Sequence, residues 1–225
     1  MLKSNLEKIF AITEKPNDFG EKITVVGATK TMDVQIINEA INLGLKVVAE
    51  NRVQEFLQKH ALLSPNASQH FIGHLQTNKV KYLVGNVDII QSVDSLRLAE
   101  EINRVATNRG IKQKVLIEIN VGGEKSKSGF RFESAIDEIY KIKNNCPNLV
   151  IKGLMTMLPN VDDKSSLVPL CVKMRTLYDR LRQNGFDFEY LSMGTSGDFE
   201  VSIQNGSNMI RLGRTIFGER KKGEN

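Results

Sequence analysis

The chain has 225 residues, 40% hydrophobic and 25% charged, with a net charge of +5 spread along its length. That is a globular composition with ample core material, and it permits an anionic ligand without demanding one. Two cysteines, Cys146 and Cys171, exclude a disulfide framework and a cysteine metal set, and no apolar run is long enough to span a membrane. The cysteine usage suits a reducing compartment, so a cytoplasmic protein is expected.

The N-terminal stretch MLKSNLEKIFAITEK puts Leu2, Leu6, Ile9 and Ile12 on one helical face. It predicts an amphipathic helix and not a signal peptide, which needs a continuous apolar core. Strand-like runs follow at 23–28 (ITVVGA), 45–49, 70–73, 87–93, 114–121, 149–155, 189–193 and 208–213. Helical patterns lie between them. VQIINEAINLG (34–44) closes on Gly44, and 51–63 and a short 77–84 follow. Asp94 is expected to cap 94–108, and 132–143, 167–183 and 198–204 complete the set. ASQ (67–69) and PNVDDKSS (159–166) read as loops.

Eight strands in strict alternation with helices predict parallel pairing through right-handed crossovers. One closed (β/α)8 TIM barrel with an extra N-terminal helix is the expected fold, a single domain over 1–225 with a frayed basic tail at 219–225. A doubly wound sheet competes, but the first turn, ATKTMD, lacks its glycine pattern. In such a barrel the site lies at the C-terminal strand ends. There stand Lys30, AENR (49–52), GHLQTNK (73–79), GGEKSKSG (122–129), MTMLP (155–159), SMGTSGD (192–198) and RLGRTIFG (211–218).

SMGTSGD and RLGRT, on adjacent strands, read as a phosphate cradle of small residues, hydroxyls and helix-start N–H groups. Tight turns need the same residues, so either loop alone says little. A phosphate site beside an isolated rim lysine points to pyridoxal phosphate (PLP) held as an internal aldimine on Lys30. Arg211 could then face the pyridine nitrogen and, never giving up its proton, leave that nitrogen unprotonated. The plainer readings are a snorkelling Lys30 and an ion-paired Arg211.

HFIGHLQTNK, EKSKSGF, GLMTM and LSMGTSGDFEVSIQNGSNMIRLGRTIFG, with ATKT and AENRVQE, resemble the pyridoxal phosphate homeostasis (YggS/PROSC-like) family in consistent order from about residue 23 to 218. The resemblance implies an alanine-racemase-like barrel (PLP fold type III), with the cofactor on Lys30 and Arg211 at its ring nitrogen. It implies Asn51 near the ring's phenolic side and Met155 packed by the ring. Ser192, Ser196, Gly213 and the backbone of Arg214 would lie near the phosphate. Lys127 would be a second rim lysine, a temporary acceptor as the cofactor moves. Three departures stand out. Arg214 replaces a usual Thr or Ser, and Thr195 replaces a more usual Met. INVGGEK lacks the usual serine or acidic variants.

His74, at the third strand's end, is expected to line the pocket and His60 to be solvated. His70 and His74 would be about 13 Å apart on a strand, too far to share a metal. The cysteines read as inert filler. The first functional expectation is a carrier for intracellular PLP homeostasis without dedicated turnover, a monomer with PLP-dependent apo-enzymes as transient acceptors. It rests on the chain ending just past the last strand, with no second domain to supply a tyrosine acid/base. The alternative is a small PLP-dependent racemase or lyase using Lys30 as base, with Lys127, Tyr140 or Tyr190 giving the second proton. A nucleic-acid module ranks last, because no aromatics interleave a basic stretch.

Overall fold

Short β-branched runs, bounded by glycine and polar turns, form the strands. The structure, a computed structural model, describes residues 1–219. From residue 220 on, the expected tail lies outside the described residues. The strands are β1 (Thr24–Ala28), β2 (Val47–Glu50), β3 (Ser68–Phe71), β4 (Ile89–Val93), β5 (Gln113–Asn120), β6 (Phe130–Arg131), β7 (Leu149–Met155), β8 (Tyr190–Thr195) and β9 (Met209–Leu212). They pair in the order β4-β3-β2-β1-β9-β8-β7-β5, and β4 also pairs with β5. That pairing closes a parallel eight-stranded barrel, as expected from the alternation. The two-residue β6 adds to the outer end of β5, pairing Ile119 with Phe130.

The helices are α1 (Leu2–Thr13), α2 (Val34–Asn42), α3 (Val53–Lys59), α4 (Leu96–Asn108), α5 (Ala135–Asn145), α6 (Val168–Gln183), α7 (Phe199–Gln204) and α8 (Arg214–Phe217). Their apolar faces pack outside the barrel in two clusters, one of which joins α1 and α2 to β1, β2 and β9. Among the described residues no helix is long and apolar enough to cross a membrane. Cys146 and Cys171 are buried and unbridged. Burial pushes the Cys146 thiol up and the Cys171 thiol up to about 11, so neither is a ready nucleophile.

Several local expectations change. Helix α4 is capped by Ser95, whose hydroxyl accepts from the Leu98 N–H, not by Asp94. One residue of offset frees Asp94 for the barrel mouth. ASQ is not a loop throughout, because β3 begins at Ser68 and pairs with Val47. Residues 77–82 form a 3-10 helix, and part of the expected 159–166 loop is 3-10 from Lys164. In α1, Ile12 is exposed and Thr13 is buried instead, its hydroxyl donating to the Ile9 carbonyl. His60 is half-buried and stacks on Phe56 at 4.6 Å between centroids, because α3 runs on into a 3-10 turn there.

Inside the barrel the strand period of two selects what points inward. Val26, Val47, Ala49, Ile89, Leu116, Met155 and Met209 form a buried inner cluster. Two or four residues further along the same strands come Lys30, Asn51, Gln91, Glu118 and Arg211.

Candidate active site at the barrel mouth

A cavity of about 410 Å³ opens at the C-terminal strand ends. That is ample for a cofactor-sized ligand. Its lower wall is Ala28, Ala49 and Ile72, and the two alanines leave the room. Lys30 enters from the end of β1, Asn51 from β2, His74 from the loop after β3, and Glu118 from β5. Thr195 and Ser196 come from the end of β8, and Arg211, Gly213 and Arg214 from β9 and its exit. The walls approach closely at Gly73, where a Cβ would stand 2.0 Å from the Asn51 carbonyl oxygen, so only glycine fits.

Arg211 is buried, with 4% of its surface exposed. It is held from below by a hydrogen-bonded chain through the barrel interior. The His70 Nδ1 lies 2.9 Å from Gln91 Nε2, and the Ser192 hydroxyl donates to Gln91 Oε1 at 2.7 Å. Arg211 donates to Ser192 Oγ at 2.5 Å and to the Thr156 carbonyl at 2.8 Å. None of these partners is a carboxylate, so the expected alternative of a direct ion pair is not what holds Arg211. Burial pulls the guanidinium down to about 10, which still leaves it charged near neutrality. Burial likewise draws the His70 imidazole down to about 4, so it serves the chain as a neutral ring.

Glu118 has 6% of its surface exposed. Burial pushes its carboxyl up to about 7, with Asp94 adding to the rise and Arg211 and His74 opposing it. His74 is exposed at the mouth, its Nδ1 3.0 Å from Asp94 Oδ2 and 3.3 Å from Ser128 Oγ. On the opposite wall the Ser196 hydroxyl accepts from the Thr215 N–H at 3.2 Å, tying the two glycine-bearing loops together. The Thr195 hydroxyl and N–H both donate to Asp198 Oδ1, so that carboxylate closes its own loop.

Seven of the nine residues expected at the site meet on this cavity: Lys30, Asn51, His74, Ser196, Arg211, Gly213 and Arg214. Met155 and Ser192 do not. Ser192 pairs in register with Met155 on one side and Met209 on the other, and all three lie buried beneath the cavity lining. A shift in register between Ser192 and Thr195 then brings Thr195 opposite Arg211. The cavity therefore receives Met157 in place of Met155, and Thr195 with Ser196 in place of Ser192. Lys127 does not line the cavity. It pairs with Glu124 and donates to the Leu158 carbonyl at 2.9 Å. Tyr140 packs edge-on to Phe186, and neither it nor Tyr190 lines the cavity. Among the described residues no cluster of three or more His, Cys, Asp or Glu could hold a metal ion.

The sequence reading missed Glu118, Gln91 and Met157. A polar residue inside an otherwise apolar run, as in IIQSV and LIEIN, was the available signal.

A family model described as alanine racemase, N-terminal domain, matches residues 3–221. A pyridoxal phosphate homeostasis protein of Aquifex aeolicus (strain VF5) is 44% identical over 218 residues, 96% of this chain and 95% of its own length. PipY of Synechococcus elongatus PCC7942 has been solved without PLP, at 28% identity and a TM-score of 0.87. Its form with PLP bound matches at 27% identity and a TM-score of 0.84, and both comparisons cover 97% of this chain and 100% of the other. An alanine racemase of Clostridium difficile 630 has a TM-score of 0.80 at 20% identity, covering 97% of this chain and 56% of its own, which is a likeness of fold.

Proposed function

The chain belongs to the alanine racemase N-terminal-domain family and, within it, to the pyridoxal phosphate homeostasis proteins, and from that premise we propose that it binds pyridoxal 5′-phosphate at the barrel mouth and serves its homeostasis. The observation that carries this reading is the convergence of Lys30, Arg211 and the two linked loops after β8 and β9 on one cavity. The residues fit the cofactor. Asn51 Oδ1 is buried with no hydrogen-bond partner among the described residues, an acceptor waiting for a donor. Arg211 has five N–H donors and spends only some of them on its supports.

The bound group supplies an electrophilic aldehyde and an aromatic ring. Lys30 is the chain's nucleophile for the aldehyde, and Arg211 donates to the ring nitrogen. Ser196, Gly213 and the start of α8 hold the phosphate, with Arg214 at the rim adding positive charge. Asn51 and His74 flank the ring. Met155 and Ser192 act from beneath, Met155 by packing and Ser192 by orienting Arg211. We take residues 1–219 as one cofactor-binding domain, acting as a monomer in the cytoplasm and passing the cofactor to PLP-dependent apo-enzymes. Sedimentation at the 25.2 kDa of one chain would bear out the monomer.

The test is the visible spectrum of wild type and Lys30→Ala with added PLP, before and after borohydride reduction. Wild type should gain a visible band and, once reduced, a fixed mass on the Lys30 peptide; the variant should show neither. A colourless wild type, or a label elsewhere, overturns the reading. A second reading, a small racemase or lyase, is favoured by one observation: Glu118, titrating near neutrality, shares the cavity with Lys30. Chiral chromatography separates the two. We expect no interconversion of common amino acids, and steady conversion would favour the enzyme.

A further inference from the structure

Thr29 and Thr31, the neighbours of Lys30, are held by side chains that do not line the cavity. Thr29 is fully buried, and its hydroxyl donates to Glu50 Oε1 at 2.8 Å. Its carbonyl accepts from Lys59 Nζ at 3.1 Å. Thr31 has φ 64°, a left-handed conformation that a β-branched residue adopts only under constraint. Its N–H donates to Glu55 Oε2 at 2.8 Å.

The two carboxylates that hold the flanking threonines are joined by one cation. Lys59 Nζ donates to Glu50 Oε1 at 2.8 Å and to Glu55 Oε2 at 2.9 Å. An ammonium has three N–H donors, and this one has three acceptors, so its hydrogen-bonding capacity is matched. Glu55 and Lys59 lie one turn apart on α3, and Glu50 ends β2. The side chains of Lys59, Glu50 and Glu55 are only 12%, 4% and 18% exposed, so water screens these pairs far less than surface ones. Glu50 leans on Lys59 further: its Oε2 is buried without a partner among the described residues, and burial already pushes its carboxyl up.

Lys59 does not line the cavity. Its position puts it behind the loop that carries the reactive lysine. We propose that Lys59 is a positioning residue for Lys30: by joining Glu50 and Glu55 it fixes Thr29 and the left-handed bend at Thr31, and so aims the Lys30 amine at the aldehyde. This rests on the cofactor reading above. In the step it serves, Lys30 nitrogen bonds to the aldehyde carbon, the carbonyl oxygen leaves as water, and the nitrogen's two protons go with that water. Without Lys59 the two carboxylates are left as like charges beside one loop, the bend keeps only its backbone bond from the Met32 N–H to the Thr29 carbonyl and an unanchored Glu55, and the amine loses its aim. A misplaced reactant costs rate far more than affinity for groups held elsewhere.

Two phosphorylated probes separate positioning from a general structural role. Pyridoxal 5′-phosphate reports capture by Lys30. Pyridoxine 5′-phosphate, with an alcohol in place of the aldehyde, reports only the phosphate and ring contacts. Lys59→Met is expected to hold pyridoxine 5′-phosphate within about twofold of wild type but to capture the aldehyde about ten- to a hundredfold more slowly. Lys59→Arg should recover most of the rate, and Glu55→Gln should fall between. A readout without cofactor is the acetylation rate of Lys30 in the apo protein by dilute acetic anhydride, followed by mass spectrometry. It should change in Lys59→Met while lysines far from the loop keep their rates. Wild-type capture by Lys59→Met overturns the proposal. So does equal loss of both probes with no rescue by arginine, which would make Lys59 a purely structural strut. If Lys59→Met does not fold by circular dichroism, Glu55→Gln decides, since it keeps the Lys59–Glu50 pair. Failure of the cofactor reading is distinguishable, because wild type itself would then leave Lys30 unlabelled.

Discussion

The barrel interior has two tiers with opposite chemistry on the same strands. In the lower tier Val26, Val47, Ile89, Leu116, Met155 and Met209 fill the bore with apolar contact. In the upper tier Lys30, Asn51, Glu118 and Arg211 stand two or four residues further along and leave a cavity open. Ser192 and His70, in register with lower-tier residues, join Gln91 in a polar floor that supports Arg211. The lower tier stabilises by packing and has no unmet demand. The upper tier keeps charged and polar groups buried or poorly solvated, which costs stability and equips the chain for a ligand. Stability and chemistry are thus separated by one or two steps of the strand period.

The largest effect expected from breaking this division is in the lower tier. Met155→Ala should destabilise the fold by about 2–5 kcal/mol in denaturant unfolding, since the site cannot collapse around the lost side chain. The folded fraction should still capture PLP at the wild-type rate. A slowed capture would place Met155 in the chemistry after all.

Glu118 tests the stability cost of the upper tier through pH. Its carboxyl titrates near 7 in the fold against an ordinary value of 4.5, so the folded chain holds an extra proton between those values. Stability from this group therefore falls as pH rises from 4.5 to about 7 and stays lost above. Glu118→Gln should be stabilised by up to about 3 kcal/mol at pH 8 and hardly at all at pH 4.5, by thermal unfolding at each pH. A gain that does not depend on pH would mean the carboxyl is not the cause.

Gln91→Leu probes the floor between the tiers. It leaves His70 and Ser192 without their shared partner, at a cost of about 1–3 kcal/mol. If Arg211 acts on the ring nitrogen, the same variant should shift the absorption maximum of the PLP-loaded protein. An unshifted band alongside lost stability would limit the chain of hydrogen bonds to folding. The smallest effect is expected at Met157, the rim counterpart of Met155 and 41% exposed. Met157→Ala should change stability by less than about 1 kcal/mol. A large loss there would erase the contrast with Met155.

Much of this was legible in the chain. Apolar runs such as ITVVGA and LKVVA, separated by helical patterns, dictate parallel strands, and eight parallel strands joined by crossovers close a barrel. Lysine directly after such a run, and arginine within the last one, are local facts that the alternation rule sends to the mouth. The paired glycine-rich loops were equally visible. Three things were not. Ser192 and Met155 fell one tier too deep, because the period of two gives the face of a strand and not its depth. Depth is set by register between strands distant in sequence, here by the shift between Ser192 and Thr195. Asp94 joined His74 at the mouth instead of capping its helix, because the helix began one residue later. The clamp of Lys59 on Glu50 and Glu55 joins β2 and α3 behind the loop of β1. Only the packing of α3 against the barrel brings those charges to Lys30, since their contact energy exists nowhere in the extended chain.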